Sequence, residues 1–260
     1  MLEKRNLAES VDEAFRPPPL ERRAGALGAF RAFSRRMADL QYGTIWRFLR
    51  EELAPRTGDL LDVGCGSQIY RELIHTGLSY TGLDSTKSLE HFGYKSAETL
   101  YFEGPIWTIE GKRFQTIICT EVLEHVERPP EILNSIFEAL SEDGLLLMTV
   151  PFSARWHFVP HDYWRFTPSG LKILLKDAGF ERICVYARGN PITVAAYKLM
   201  SVILLLAGHR IGAAILLTLS PLAVPLLGLI IAVANLSLPF DFGEDCLGYS
   251  ITARKPPGGQ

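Results

Sequence analysis

The chain has 260 residues, a formal net charge of −2 and a sequence isoelectric point near 6.3. A balance so close to neutral gives no global attraction to polyanions, and no nucleic-acid partner is expected. The length suits one large domain with additions, and a mean hydropathy of +0.10 points to one stretch of unusual apolarity.

In chain order, residues 1–19 are polar, end in Pro17-Pro18-Pro19 and read as a tail. The opening MLEKRNLAES holds no apolar run, so a cleaved signal peptide is not expected. Residues 20–42 predict a helix: Leu27, Phe30, Phe33, Met37 and Leu40 recur at three- and four-residue steps. Arg22, Arg23, Arg31, Arg35 and Arg36 occupy the rest. Two readings stay open, a helix packed on the domain with a solvated basic face, or a basic amphipathic helix on an anionic membrane.

From residue 58 short apolar runs alternate with helical patterns. LLDVG (60–64), YTGLDS (80–85), FQTIICT (114–120), GLLLMTVPF (144–152), ERICVYAR (181–188) and CLGYSITARK (246–255) predict strands. QIYRELIHTG (68–77) predicts a helix, and so does EILNSIFEAL, which Gly144 would close. Thr167 and Pro168 suit the N-cap and first turn of LKILLKDAGF. The alternation predicts an α/β fold, a parallel sheet covered on both faces. Cys65, Cys119, Cys184 and Cys246 form no CxxC pair and are expected to be reduced and buried.

The first strand runs into Asp62-Val63-Gly64-Cys65-Gly66-Ser67, a turn whose glycines let backbone approach a ligand. Asp84, at the end of the next strand, is placed to accept hydrogen bonds from ribose hydroxyls. A dinucleotide loop would need glycine where this chain has Ile69, which argues against NAD.

Taken in order, LLDVGCGS, YTGLDS, FQTIICTEVLEHVERPPEIL, GLLLMTVPF and PHDYWRFTPSGLKILLKDAGFE resemble a class I S-adenosylmethionine-dependent methyltransferase, most closely the bacterial type 11-like group with an EVLEHV signature. The resemblance implies a Rossmann-like seven-stranded sheet and S-adenosyl-L-methionine as cofactor. It implies that Asp62, Gly64 and Gly66 line the methionine part, that Asp84 holds the ribose and that Ser85 lies beside the adenine. Glu103 would meet the adenine amino group, and Thr120 and Glu121 would border the transferred methyl. Gln68 stands where the usual loop has a third glycine, and Gln115 where an aspartate usually opens the fourth strand.

An oxygen acceptor needs a base, and His125, His157 and His161 are the candidates by their ordinary pKa. Asp162 could orient one imidazole and Arg165 could hold an anion, while Tyr163, Trp164 and Phe166 read as packing. The Glu121-Val-Leu-Glu124-His125 run sets three ligand types close together, and some quinone-biosynthesis and RNA-terminal methyltransferases with similar runs use a divalent ion there. The same letters are common in relatives that need none, and no metal is expected.

Residues 191–240 are the apolar stretch. Ile211 to Pro239 holds no charge, longer than the roughly 20 residues that span a bilayer. Gly208 to Gly212 reads as a turn. Because the flanking strands belong to one sheet, the segment must go out and return as a hairpin, with Pro221 and Pro225 allowing a bend. Three units follow: a tail and basic helix (1–43), a catalytic domain (44–190 and 241–255) and the hairpin (191–240). The expected function is methyl transfer to an oxygen or carbon of a membrane-resident or lipid-linked acceptor, by a membrane-associated protein with its catalytic domain in the cytoplasm. Alternatives are a soluble small-molecule methyltransferase whose hairpin makes a dimer, and a cofactor-binding protein without catalysis. Oligomeric state is not legible in the sequence.

Overall fold

A computed structural model describes residues 25–92, 98–103, 109, 111–207, 212, 218–240 and 245–258. The expected tail at 1–19 and most of the expected turn at 208–212 lie outside the described residues. Seven strands form one sheet: β1 (Gly58–Val63), β2 (Leu78–Ser85), β3 (Thr99–Phe102), β4 (Phe114–Thr120), β5 (Leu140–Pro151), β6 (Glu181–Arg188) and β7 (Gly248–Arg254). Their order is β3-β2-β1-β4-β5-β7-β6. The expected parallel sheet is mixed, since β7 runs antiparallel between β5 and β6. Two reversals leave β6 pointing the same way as β5, so its end lies at the carboxyl edge.

Side chains alternate across each strand, and this sorts the core into two layers. Leu61, Ile117 and Leu146 face one layer with Leu133 and Ile136 of α4 (Pro129–Ala139) and Leu171 and Leu175 of α5 (Pro168–Asp177). Leu60, Ile118 and Leu147 face the other with Ile45, Leu49 and Leu53 of α2 (Leu40–Leu53). A short α3 (Thr86–Phe92) follows β2. Thr167 caps α5 as expected, its hydroxyl accepting from Gly170 N–H at 3.2 Å.

Four expectations are corrected. The helix over 20–42 is two helices: α1 (Gly25–Ala38) ends before Asp39, whose carboxylate accepts from Tyr42 N–H and caps α2. Residues 68–77 form only a 3-10 turn at Arg71–Leu73. Ile69, Tyr70, Leu73 and Ile74 still pack against the α2 layer, but Gln68 has a positive φ of 55° and Ile74 is extended, so no helix starts or continues. Gly144 does not close α4. Leu140 already pairs with Phe114 and Leu145 with Thr116, and Ser141–Gly144 bulge out between them. Of the cysteines, Cys184 is exposed and the other three are buried.

The apolar segment lies between β6 and β7, as α6 (Pro191–Ala207) and α7 (Ser220–Ser237). Pro225 sits inside α7. Asn190 roots both arms. Its Oδ1 accepts from Ile192 and Thr193 N–H, and its Nδ2 donates to the carbonyls of Ser237 (2.8 Å) and Phe240 (3.1 Å). A buried amide that satisfies four backbone groups is costly to lose. Asn190→Ala is expected to destabilise the protein by about 2–4 kcal/mol, read by denaturant unfolding in detergent, and to speed proteolysis of the hairpin selectively.

Candidate active site

A cavity of about 700 Å³ opens at the carboxyl ends of β1, β2 and β4. There the sheet order departs in two directions from β1, and open α/β sheets leave a crevice at such a point. Asp62, Gly64, Gly66, Asp84, Ser85, Thr120, Glu121, His125, His157 and His161 all line it, so the structure gathers ten of the residues singled out above. Glu103 is not among them. It is exposed, one residue past β3.

The β1 turn is tight for steric reasons. Gly64 has a φ of 69°, and a Cβ there would collide with Val122. Gly66 also has a positive φ, and its N–H donates to Asp84 at 2.7 Å. Gln68 keeps the left-handed backbone that the expected glycine would adopt freely, with its amide donating to Thr99 at 3.0 Å. Gln115 lies away from this turn and accepts from Asp59 N–H at 2.6 Å.

Two acids stand over the turn. Asp84 accepts from Gly66 and Ser85 N–H, both at 2.7 Å, yet burial still raises its pKa. Asp62 is buried and accepts from the Tyr80 hydroxyl at 2.9 Å. Burial pushes its carboxyl up to about 7, and neighbouring Asp84 adds to this against the Tyr80 bond. Two buried carboxyls, both shifted upward, in a cavity fit a ligand that brings its own positive charge and hydroxyls.

The opposite wall carries the histidines. His125 Nδ1–H donates to the His161 carbonyl at 2.6 Å, and burial, with His157 nearby, lowers its pKa to about 4. His157 packs edge-on to it, with ring centroids 4.8 Å apart. His157 Nδ1–H donates to the Arg155 carbonyl at 2.9 Å and lies 3.3 Å from Asp162. Burial alone would lower this imidazole, but the bonds to Asp162 and Arg155 outweigh it and its pKa is raised. Nε2 is therefore the basic nitrogen. His161 Nδ1–H donates to the Tyr163 hydroxyl at 3.0 Å, which donates onward to Glu127. Arg165 does not reach out to an anion. It grips Asp162 with both terminal nitrogens at 2.6 and 2.8 Å, and against burial it holds that carboxyl well below the usual range. Trp164 donates to the Val126 carbonyl and Phe166 is buried.

Glu124 reads in the sequence only as part of a ligand run, and Arg188 has no reading there. Glu124 has no exposed surface, and neither carboxylate oxygen has a hydrogen-bond partner. Burial, then repulsion from Glu121, raises its pKa far above the ordinary value. Donor atoms of Glu124, His125 and His157 lie within 4.8 Å of one another. Glu121, the third member of the ligand run considered above, turns elsewhere: its carboxylate accepts from Arg188 at 2.8 Å and from Thr149 at 2.9 Å. Arg188 is 4% exposed. Its position gave one signal, a charge ending an apolar strand just before Gly189-Asn190.

Residues 34–185 match a family model described as a methyltransferase domain, more than half of the chain. The ubiquinone biosynthesis O-methyltransferase of Psychrobacter arcticus is 29% identical over 163 residues, which cover 52% of this chain and 63% of that protein. The mitochondrial ubiquinone biosynthesis O-methyltransferase of Schizosaccharomyces pombe is 31% identical over 103 residues, 35% of this chain and 36% of its own length. The chain thus spans less than two thirds of the curated relatives it matches. Among solved structures, the [4+2]-cyclase SpnF superposes with a TM-score of 0.52 at 20% identity, over 84% of this chain and 82% of that one. A SAM dependent methyltransferase from Archaeoglobus fulgidus gives 0.50 at 15% identity, over 87% and 99%. A cyclase and a methyltransferase on one fold show that likeness at this level carries architecture alone.

The buried Asp62 gives a pH signature with a definite sign. The unfolded chain releases this proton near 3.8 and the folded one near 7, so between those values the unfolded state is favoured as pH rises. Asp62→Asn keeps an acceptor for Tyr80 and removes the titration. Its stability relative to wild type is expected to rise between pH 4 and 7 by up to about 4 kcal/mol, read from denaturant midpoints across that range.

Proposed function

The chain belongs to the methyltransferase-domain family, and on that premise we propose that it transfers the methyl group of S-adenosyl-L-methionine to an oxygen of an acceptor held in or at a membrane. One observation carries the second half. The hairpin leaves β6 at the cavity's edge of the sheet, and α7 is long and apolar enough to cross a membrane, with only 11% of it buried in the protein. A core helix of that composition would be mostly covered. α6 is shorter but equally apolar, and Tyr197 on it meets the backbone of Arg155 in the loop that bears His157. An acceptor entering along the hairpin reaches the histidine wall first. The two named relatives are O-methyltransferases, which supports oxygen as the receiving atom.

The cavity fits this cofactor by chemistry. When bound, S-adenosyl-L-methionine supplies an electrophilic methyl on a sulfonium, so the protein's tasks are alignment and exclusion of water. Asp84, beside Ser85, would accept the ribose hydroxyls and Asp62 would face the ammonium. Gly64 and Gly66 would let backbone close on the methionine part, and Thr120 and Glu121 would line the wall near the reacting carbon. His157 Nε2 takes the proton from the acceptor hydroxyl, and Asp162, fixed by Arg165, accepts from the His157 backbone N–H, lies 3.3 Å from Nδ1 and steadies the imidazolium. His125, with its pKa near 4, stays neutral at pH 7 and is too weak a base to compete.

The orphaned Glu124 favours a second reading, in which Glu124, His125 and His157 hold a divalent cation that lowers the pKa of the acceptor hydroxyl. A buried carboxyl 3.5 Å from one of two imidazoles is a donor set suited to zinc.

Membrane extract and its aqueous counterpart, each incubated with methyl-labelled cofactor and enzyme, test the acceptor. Label is expected in the lipid fraction. A variant lacking 191–240 that binds cofactor in calorimetry, yet methylates the bilayer acceptor at full rate, would falsify the hairpin's role. The base is tested by a pH–rate profile taken in EDTA. Activity should rise with pH along a limb above the ordinary histidine value of about 6.5, and Asp162→Asn should move that limb to lower pH. His157→Ala should cost about 10²- to 10⁴-fold in kcat. Activity lost in EDTA and restored by zinc, with calorimetric zinc binding abolished by Glu124→Gln, selects the cation reading instead.

A further inference from the structure

Helix α1 is amphipathic in the opposite sense from a helix packed on a soluble domain. The side that meets the protein is its basic side. Gly28 is its one buried residue, and on either flank of that contact the arginines turn inward. Arg35 pairs with Asp39 at 3.7 Å and lies over the Tyr42 ring at 4.5 Å. Arg36 pairs with Glu72 at 3.1 Å and lies over the Trp46 ring at 4.4 Å. The apolar side faces out: Leu27 is 61% exposed, Phe30 66% and Phe33 55%. Such side chains in adjacent turns of one helix, with the charged side spent on protein contacts, are unstable toward anything apolar that can cover them.

Two observations identify what covers them. The face continues onto the hairpin, because the C-terminal part of α1 is bonded to the root of α7. Asn235 Nδ2 donates to the Met37 carbonyl at 2.9 Å, and Asn235 Oδ1 accepts from Arg47 at 3.1 Å. The exposed apolar residues Leu229, Val233 and Leu236 of α7 are on the same arm as that junction. The charge is also one-sided. The 14 residues of α1 contain Arg31, Arg35 and Arg36 and no acid. Arg31 is exposed and follows Leu27 by one helical turn, so it borders the apolar stripe instead of facing the protein. A second copy of the chain offers a like-charged face here, whereas an anionic bilayer offers both an apolar layer and opposite charge.

We propose that α1 is an interfacial helix that docks on an anionic lipid surface, with Leu27, Phe30 and Phe33 in the acyl boundary and Arg31 at the headgroups. The inference rests on the reading of the hairpin as membrane-inserted, since that insertion brings α1 to the surface. It adds a headgroup preference that α7, which has no acidic or basic residue, does not provide.

The test uses the full chain reconstituted in phosphatidylcholine vesicles with increasing phosphatidylglycerol. In a Cys184→Ser background, where the remaining cysteines are buried, an environment-sensitive dye is attached through Phe30→Cys or, separately, Leu226→Cys. Iodide quenching from water and nitroxide quenching from lipid are read for each. The dye at 30 is expected to lose iodide access and gain nitroxide quenching as phosphatidylglycerol rises. Arg31→Gln is expected to weaken this docking about fivefold, the effect of one arginine at an anionic surface. A dye at 226 shielded by lipid while the dye at 30 stays open to iodide at every composition overturns the inference and leaves the hairpin reading standing. A dye at 226 open to iodide overturns the hairpin reading, and with it this one. Shielding at 30 that appears without lipid, together with a dimer by light scattering, assigns the face to a second copy and overturns the proposal as well.

Discussion

Arg188 is the interaction on which the rest of the architecture turns. A guanidinium taken out of water must be paired or it costs several kcal/mol. Here it is paired from every side. It donates to Glu121 beyond β4, to the Val150 carbonyl of β5, to the Tyr249 carbonyl of β7 and to Gln41 and Thr44 of α2. A single buried cation thus fixes the end of β6, the floor of the cavity and the position of α2 at once. It also settles the fate of Glu121, whose backbone sits at a positive φ of 53° and whose carboxylate is turned toward the sheet. The hairpin begins three residues after Arg188. Its seat and the catalytic edge therefore share one electrostatic anchor.

Above that anchor the cavity is electrostatically unfinished. Burial raises the pKa of Asp62, Asp84 and Glu124, whereas Asp162, clamped by Arg165 and His157, is held well below its ordinary range. The two walls differ in kind as a result. The glycine-turn wall holds acids short of a positive partner, which suits a ligand carrying an ammonium and a sulfonium. The histidine wall holds one imidazole made more basic by a fixed carboxylate and one made less basic by burial. Environments that push like groups apart in this way divide the labour of a site between them.

The sheet and the turn were legible because each rests on local pattern. Strands such as LLDVG and FQTIICT are short apolar runs with a boundary at each end, and Asp84 at a strand end has one natural use. The parts that were not legible depend on contacts distant in sequence. Ile69, Tyr70, Leu73 and Ile74 have helical spacing, but the spacing served packing against α2, and the backbone at Gln68 forbade the helix. Asp39 offered a capping residue inside a continuous periodicity, and periodicity masked it. Gly144 resembled a helix stop, although the chain had already entered the sheet at Leu140. Glu103 was carried by resemblance alone across a poorly matching stretch, and the structure leaves it outside the cavity. Arg188, and the full burial of Glu124 that the ligand run alone did not show, became visible only when segments far apart in the chain were brought side by side. The sequence left two readings of α1 open for the same reason: helical periodicity cannot say which face has partners, and Arg35 and Arg36 found Asp39, Tyr42, Trp46 and Glu72.

The closure at Asn190 has a consequence for how such a chain could arise. One side chain reaches both the first turn of α6 and the carbonyls that follow α7, so the hairpin leaves and re-enters the domain through a gap narrow enough for an ordinary loop. The sheet order, the cavity and the strand carrying Arg188 are complete on the near side of that gap. The excursion is topologically a cassette. If the hairpin is the membrane element proposed above, exchanging it for a short turn would leave the architecture unchanged and suit acceptors in water, so the site of action would be set at one junction, separately from the chemistry.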